Sequence, residues 1–182
     1  MKNIKATEYR EQLMHLRSLF EKYGEEYRID WLILAALAFQ ESKLDHSAKS
    51  RAGAVGIMQI KPSTAKDSNI GIGDVTSLEN NIHAGTKYLR FIADRYFADA
   101  DIEETDRIFM ALASYNAGPN AIARVRKKSG QPDEWFGKLE RDVAGSIGME
   151  PVQYVSNIFR YYLTLKGIAE KQSTVQKGKT DQ

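Results

Sequence analysis

The sharpest switch from apolar to polar residues along the chain lies between residues 31 and 42. Nine consecutive apolar residues, WLILAALAF at 31–39, precede the polar run Gln40-Glu41-Ser42. This run is too short to cross a bilayer, because a membrane-spanning helix needs roughly 20 apolar residues. It predicts a helix that is buried on most sides inside a globular domain, with Asp30 as its N-cap.

Elsewhere, apolar residues recur at intervals of three and four, which predicts amphipathic helices and an all-α fold class. The first helix should run from about Thr7 to Tyr23 and stop at Gly24. The other helices are predicted after Pro62, from a capping box at Thr76 and Glu79 to about Phe97, from a cap at Thr105 to Gly118-Pro119, from Pro119 to Gly130, around Trp135 within the glycine-dotted segment 131–149, and from Glu150-Pro151 onward. Residues 1–170 are expected to form one domain, and the polar segment 171–182 a disordered tail.

Composition narrows the classes of ligand. The chain has 26 basic and 24 acidic residues, a net charge of +2, which gives no electrostatic reason to expect a nucleic-acid partner. It has no cysteine, and its three histidines lack metal-ligand spacing, so neither a metal nor another cofactor is expected. The N-terminus lacks the apolar region of a signal peptide, which leaves a cytoplasmic product or a chain without its export signal.

Glu41 is unusual because it places a carboxylate at the end of an apolar helix. Helical spacing puts it one turn beyond Leu37 and two turns beyond Leu34. Burial would disfavour its charge and raise its pKa, so that Glu41 holds a proton at neutral pH and acts as a general acid. The alternative, that Glu41 points into water where the helix ends, is equally consistent with this stretch.

The segment after Glu41 predicts a surface loop that can fold back over the helix end. Residues 45–56 are polar and punctuated by glycine (DHSAKSRAGAVG), and residues 56–60 read GIMQI. Gln59 lies between apolar residues, and its amide can donate hydrogen bonds to a sugar or accept them from one. The alternative is an ordinary solvated loop residue.

Three short motifs together resemble those of the lytic murein transglycosylases, whose soluble-lytic-transglycosylase domain is related to goose-type lysozyme. They are ESK at 41–43, GIMQI at 56–60 and ASYNAG at 113–118, in the order and separation of that family. The resemblance covers about Arg28 to Leu165, and DWLILAALAFQES at 30–42 looks most like the membrane-bound type F subgroup. It implies a lysozyme-like fold, in which a small β-hairpin within residues 45–60 is an open option.

The resemblance implies that Glu41 is the only catalytic acid and base. In such enzymes this residue protonates the oxygen that links N-acetylmuramic acid to N-acetylglucosamine. The carboxylate then deprotonates the 6-hydroxyl of the muramic acid, which closes on C1 to give a 1,6-anhydro sugar without consuming water. The second carboxylate of ordinary glycosidases is then not required. Asp45 is the nearest alternative acid, but its position favours a solvated loop residue.

Motif matching also implies substrate-binding roles, and several of these have a simpler alternative. The residues are Ser50, Gln59, Tyr115, Asn116, Glu150 and Tyr154. Ser50 is equally well explained as a loop serine, and Tyr115 also fits the apolar stripe of its helix. Glu150 and Tyr154 belong to EPVQYV, which resembles a family motif that has Thr where this chain has Pro151. A negative charge at a helix N-terminus also explains Glu150.

The interpretation is a peptidoglycan lytic transglycosylase domain, a lyase that acts on glycan strands in the periplasm or cell envelope. A monomer is expected, with membrane attachment only through segments absent from this chain. One alternative is a goose-type muramidase that hydrolyses the same bond, and its product would be heavier by one water. A second is a non-catalytic glycan-binding module, which would have no use for Glu41.

Overall fold

The computed structural model describes the backbone of residues 2–180 and the side chains of residues 8–169. Eight helices occupy most of the described backbone: α1 (Lys2–Tyr27), α2 (Trp31–Ser42), α3 (Pro62–Lys66), α4 (Leu78–Tyr96), α5 (Glu104–Ala117), α6 (Pro119–Lys128), α7 (Glu140–Ser146) and α8 (Met149–Thr180). None of them, within the described residues, is long and apolar enough to cross a membrane. The predicted all-α fold is confirmed. Instead of a β-hairpin, two isolated antiparallel bridges join Lys49 to Val55 and Val55 to Ile60.

Helix α2 lies at the centre of the molecule, as its apolar run predicted. Leu34 and Leu37 are fully buried, and each such side chain contributes about 1.5–3 kcal/mol relative to exposure. Asp30 caps the helix by accepting a hydrogen bond from the Leu32 N–H at 2.9 Å. Tyr162 of α8 donates to the same carboxylate at 3.0 Å, which fixes α8 against the start of α2.

Gly24 does not end the first helix, contrary to the prediction. α1 continues to Tyr27, and Arg28 then adopts a positive φ of 55°. A Cβ atom on Gly24 would lie 2.7 Å from the carbonyl oxygen of Ile29 and 3.2 Å from Cβ of Trp31. The glycine therefore allows the connection to α2 to pack closely against α1, because any larger residue would collide with it.

The capping box predicted for α4 is also wrong. Ser77, not Thr76, is the N-cap and accepts a hydrogen bond from the Asn80 N–H at 3.2 Å. Glu79 bonds to Lys22 of α1 at 2.6 Å instead of to the start of its own helix. A neighbouring helix thus provided Glu79 with a charged partner that the local sequence does not reveal.

Two further boundaries differ from the prediction. α5 begins one residue before Thr105, with Glu103 at the N-cap position. Within residues 131–149, an irregular turn at 135–139 buries Trp135 and contains Gly137 with a φ of 74°, and α7 then follows as a separate helix.

The side chains of the predicted tail, residues 171–182, lie outside those the structure describes, so the domain limits stay predictions.

Candidate active site

Glu41 lies near the C-terminal end of α2, half-buried, with one carboxylate oxygen engaged and one free. The hydroxyl of Tyr154, on α8, donates a hydrogen bond to Oε1. Among the described residues, nothing bonds to Oε2. Burial raises the pKa of Glu41, while the bond from Tyr154 and the positive charge of Lys43 act in the opposite direction. The result is a carboxyl group that holds its proton more tightly than an exposed glutamate does, and that has an oxygen without a described partner available to transfer that proton.

The backbone reverses sharply directly after Glu41. Lys43 and Leu44 both have positive φ values, 58° and 67°, a conformation that costs roughly 1–2 kcal/mol for a residue with a side chain. Asp45 then accepts hydrogen bonds from the N–H and hydroxyl of Ser47, which lower the pKa of its carboxyl. Asp45 is exposed and stabilises this turn, which agrees with the alternative given for it from the sequence.

The turn formed by residues 56–59 lies against the end of α2. The hydroxyl of Ser42 is within hydrogen-bond distance of the carbonyl of Ile57 at 2.9 Å and that of Ala38 at 3.2 Å. The hydroxyl of Tyr115, on α5, donates to the carbonyl of Met58 at 2.8 Å. The helix that carries Glu41 and the helix that carries Tyr115 therefore both hold this turn by its peptide groups.

Helix α4 holds the same turn through the side chain of Asn81 and through close packing. The buried side chain of Asn81 accepts from the Met58 N–H at 2.9 Å and donates to the carbonyls of Val55 and Val75, each at 3.0 Å. A Cβ on Gly56 would lie 2.2 Å from the Asn81 amide nitrogen. Likewise, a Cβ on Gly85 would lie 2.6 Å from Cβ of Met58. Both glycines are therefore required by close packing between α4 and the turn.

Gln59 completes the turn with a positive φ of 47° and a fixed side-chain orientation. Its Nε2 donates to the carbonyls of Gly56 at 2.8 Å and Ala48 at 3.1 Å. A carbonyl can only accept, so these bonds determine which end of the amide faces inward. Oε1 has no partner among the described residues, which leaves Gln59 able to accept a hydrogen bond but with no free N–H to donate.

Tyr115 and Tyr154 both remain neutral donors next to Glu41. Burial raises the pKa of each phenol well above its ordinary value, and the negative charge of Glu41 acts in the same direction. The ring of Tyr115 also packs at 5.4 Å from that of Tyr88. Core packing and a place in the site, which the sequence presented as alternatives for Tyr115, are thus compatible.

The other three predicted binding residues make no described contact with Glu41. Ser50 is exposed, and its hydroxyl accepts from the Ala54 N–H at 3.0 Å, which leaves the hydroxyl proton free. Asn116, near the end of α5, and Glu150, in the first turn of α8, are both exposed and make no described hydrogen bond. Their roles in binding stay predictions.

Sequence reasoning assigned no role to Ser42, Asn81 or Gly85, although all three position the turn that carries Gln59. Asn81 left a signal, because it is a polar residue next to the apolar stripe of α4. Ser42 and Gly85 left none beyond their small size. Among the described residues, no group of three His, Asp or Glu side chains is arranged to hold a metal ion.

The sequence of this chain matches a known protein family. The family model of the Transglycosylase SLT domain matches residues 18–136, which include Glu41, the 56–59 turn and Tyr115. The chain belongs to the Transglycosylase SLT domain family. The match reaches neither Tyr154 nor the rest of α8, and it does not test the resemblance to the type F subgroup.

A solved structure with the same fold is that of an inactive mutant of the lytic transglycosylase Slt from Pseudomonas aeruginosa. The two chains are 23% identical and superpose with a TM-score of 0.66. The superposition covers 85% of this chain and 24% of the other, so this SLT domain spans about a quarter of the length of that protein. At this identity, the similarity shows the fold alone, and it agrees with the predicted lysozyme-like architecture.

Proposed function

We propose that this SLT domain is a peptidoglycan lytic transglycosylase that cleaves the bond between N-acetylmuramic acid and N-acetylglucosamine. The observation that carries the proposal is the half-buried Glu41, whose pKa is raised by burial and whose Oε2 has no described partner. Membership of the SLT domain family and the fold shared with lytic transglycosylase Slt support it.

In the first step, protonated Glu41 gives its proton to the glycosidic oxygen. The bond from that oxygen to C1 of the muramic acid breaks, and positive charge develops on the ring as an oxocarbenium-like state. Tyr154 then donates its hydrogen bond to a carboxylate, which is the form that such a bond favours.

In the second step, the Glu41 carboxylate takes the proton from the 6-hydroxyl of the same sugar. The hydroxyl oxygen closes on C1, and Glu41 is returned to its protonated form. Burial favours this return, whereas Tyr154 and Lys43 favour the charged intermediate. One residue can therefore act as acid and then as base, because the opposing contributions keep both of its forms accessible.

The 56–59 turn is proposed to fix the sugar next to the cleaved bond through Gln59. Because both amide hydrogens are taken by carbonyls, Gln59 accepts a hydrogen bond from the sugar. The donors available on this substrate are the acetamido N–H and the hydroxyl groups. Ser50, Asn116 and Glu150 are proposed to extend binding along the glycan, since their exposed groups are free to bond with it.

The substrate implies action in the periplasm or cell envelope, and we propose that the domain acts there as a monomer. The central experiment digests purified sacculi and determines product masses. A 1,6-anhydro end on the muramic acid supports the proposal. A hydrolysed end would instead identify a goose-type muramidase, and intact sacculi would indicate a glycan-binding module.

A further inference from the structure

Lys43 places a cation beside Glu41, and its charge is the smallest of the three influences on the pKa of that carboxyl. It caps the C-terminus of α2 in the left-handed conformation, with φ 58° and ψ 33°. Helices that end in this way usually have Gly or Asn at that position, because other residues cost roughly 1–2 kcal/mol there. A lysine at this point suggests that its side chain is needed.

The ammonium group of Lys43 is held in a defined place. Its Nζ donates to the carbonyl of Phe39 at 3.0 Å and lies 4.7 Å from the centre of the Phe39 ring. It also lies 5.4 Å from the centre of the Tyr161 ring, on α8. Tyr161 follows Tyr154 by seven residues, or about 10 Å along the helix axis. The cation therefore lies on the α2–α8 seam, near enough to Glu41 for the two charges to interact.

No carboxylate of the described residues lies within 4 Å of the Lys43 ammonium. By contrast, Lys22 and Lys138 each have an acidic partner at 2.6–2.8 Å. An ammonium group has three N–H donors, so two remain after the bond to Phe39. A cation held on aromatic faces, with two free donors and no described carboxylate within 4 Å, is complementary to an anionic ligand.

We propose that Lys43 binds a carboxylate of the peptide stem carried by the muramic acid. The inference rests on the proposed function. The glycan itself is uncharged when its lactyl groups carry peptides, so the negative charge of the substrate lies on those stems. The rings of Phe39 and Tyr161 provide an apolar surface beside the cation for the methyl groups of the stem. Lys43 is exposed, so a carboxylate of the stem can approach its ammonium group from solvent.

The test compares two substrates: peptide-bearing glycan, and glycan from which an amidase has removed the stems. Lys43→Met keeps the length of the side chain and removes its charge. We expect it to lose about tenfold in kcat/KM on peptide-bearing glycan, mainly through KM, as for one lost charge-assisted hydrogen bond. On peptide-free glycan, only the effect of the Lys43 charge on Glu41 remains, so we expect a clearly smaller loss there than on peptide-bearing glycan. Lys43→Arg, which keeps the charge, should retain most of the activity on both substrates.

Lys166→Met is the matched control. Lys166 also lies over a tyrosine of α8, 5.6 Å from the centre of the Tyr162 ring, so this variant loses the same charge and a similar aromatic contact. It is twelve residues beyond Tyr154, about 18 Å along the helix. Both substrates should be cleaved as by the parent.

Each of the following outcomes would overturn the inference. Equal losses on both substrates, with a shift of the pH–rate profile, would show that Lys43 acts only through Glu41. Unchanged kinetics on both would show that it binds nothing. Inactivity of the parent on both substrates would refute the proposed function, and the inference would fall with it. If the parent cleaves only peptide-bearing glycan, fragment binding is measured instead with the inactive Glu41→Gln variant and with the double variant that also carries Lys43→Met. The double variant should lose affinity for peptide-bearing fragments but not for peptide-free ones. Equal affinity of the two variants for peptide-bearing fragments would refute the site.

Discussion

The ionisation of Glu41 is controlled by opposing interactions with nearby residues. Burial favours the neutral acid, whereas the Tyr154 hydroxyl and the Lys43 charge favour the carboxylate. Since burial is the largest contribution, the pKa is raised in the folded protein. Between the ordinary pKa of 4.5 and this raised value, the folded state binds more protons than the unfolded state, so the free energy of unfolding falls as pH rises.

Replacing Glu41 by Gln should therefore remove activity and increase stability at neutral pH. At pH 7, we expect the melting temperature to rise, and each 1 kcal/mol of added stability would raise it by about 2–4 °C in a domain of this size. The difference should shrink as pH falls towards 4.5, the ordinary pKa of a glutamate side chain. Thermal unfolding across this pH range measures it.

Asp45→Asn is the control for this experiment, because the pKa of Asp45 is lowered by its bonds to Ser47. Its contribution to stability is present above its ordinary pKa of 3.8 and is lost as pH falls, so the Asn variant should be the less stable one at pH 7. A Glu41→Gln variant that is less stable than the parent at pH 7 would contradict the assignment of a raised pKa.

Tyr154→Phe tests the hydrogen bond that favours the charged form of Glu41. Loss of the hydrogen bond should raise the pKa of Glu41 further, so the alkaline decline of kcat/KM should move to higher pH. We expect kcat to fall about tenfold, equivalent to about 1.4 kcal/mol, because the charged intermediate loses a donor.

Tyr115→Phe is the control for the loss of a tyrosine hydroxyl, since the Tyr115 hydroxyl bonds to Met58 and not to Glu41. That variant should lose about 1 kcal/mol of stability without moving the alkaline limb. Identical pH profiles for the Tyr154 variant and the parent would show that the bond to Glu41 does not control its ionisation.

At the scale of the elements, the apolar run of α2 was sufficient to predict a central helix and the position of Glu41 at its end. The supports of the 56–59 turn could not be predicted, because they are contacts between distant segments. Asn81 and Gly85 act on Met58 from α4, and nothing in their local sequence indicates that partner. For the same reason, Gly24 was misinterpreted as a helix end, although it is a point of close approach to Ile29.

Gly85→Ala is expected to destabilise the protein, although alanine is the better helix former by about 1 kcal/mol. The added Cβ would meet Met58 Cβ at 2.6 Å, and overpacking of this kind costs about 1–3 kcal/mol. Because Met58 belongs to the turn, activity should fall as well. Denaturant unfolding and sacculus cleavage measure the two effects.

Gly167→Ala, in α8, provides the matched control because a Cβ added there would meet no neighbouring atom within 4 Å. It should be neutral or stabilise by up to about 1 kcal/mol, and its activity should equal that of the parent. Equal stabilities for the two alanine variants would refute the close contact between α4 and the turn.

At the scale of the whole molecule, α8 connects both ends of α2. Tyr154 bonds to Glu41 near the end of α2, and Tyr162 bonds to Asp30 at its start, so the two helices run antiparallel. All of α8 follows the segment matched by the family model, yet this helix carries Tyr154, which bonds to Glu41. The motif at 150–155 pointed to Tyr154 from the sequence, but the bond to Glu41 became visible only in the fold.

Removing residues 171–182 should leave activity and melting temperature unchanged, as predicted from the polar composition of that segment. Extending the deletion to residue 149 should abolish folding or activity, since it removes Tyr154 and the buried Val155. Loss of activity in the shorter deletion would show that the domain extends further than predicted.

The most direct test of the central claim is mass spectrometry of sacculi digested with this chain and, in parallel, with its Glu41→Gln variant. We predict muropeptides that end in 1,6-anhydro-muramic acid with the parent, and none with the folded variant. Products that carry an added water, or equal digestion by the variant, would contradict it.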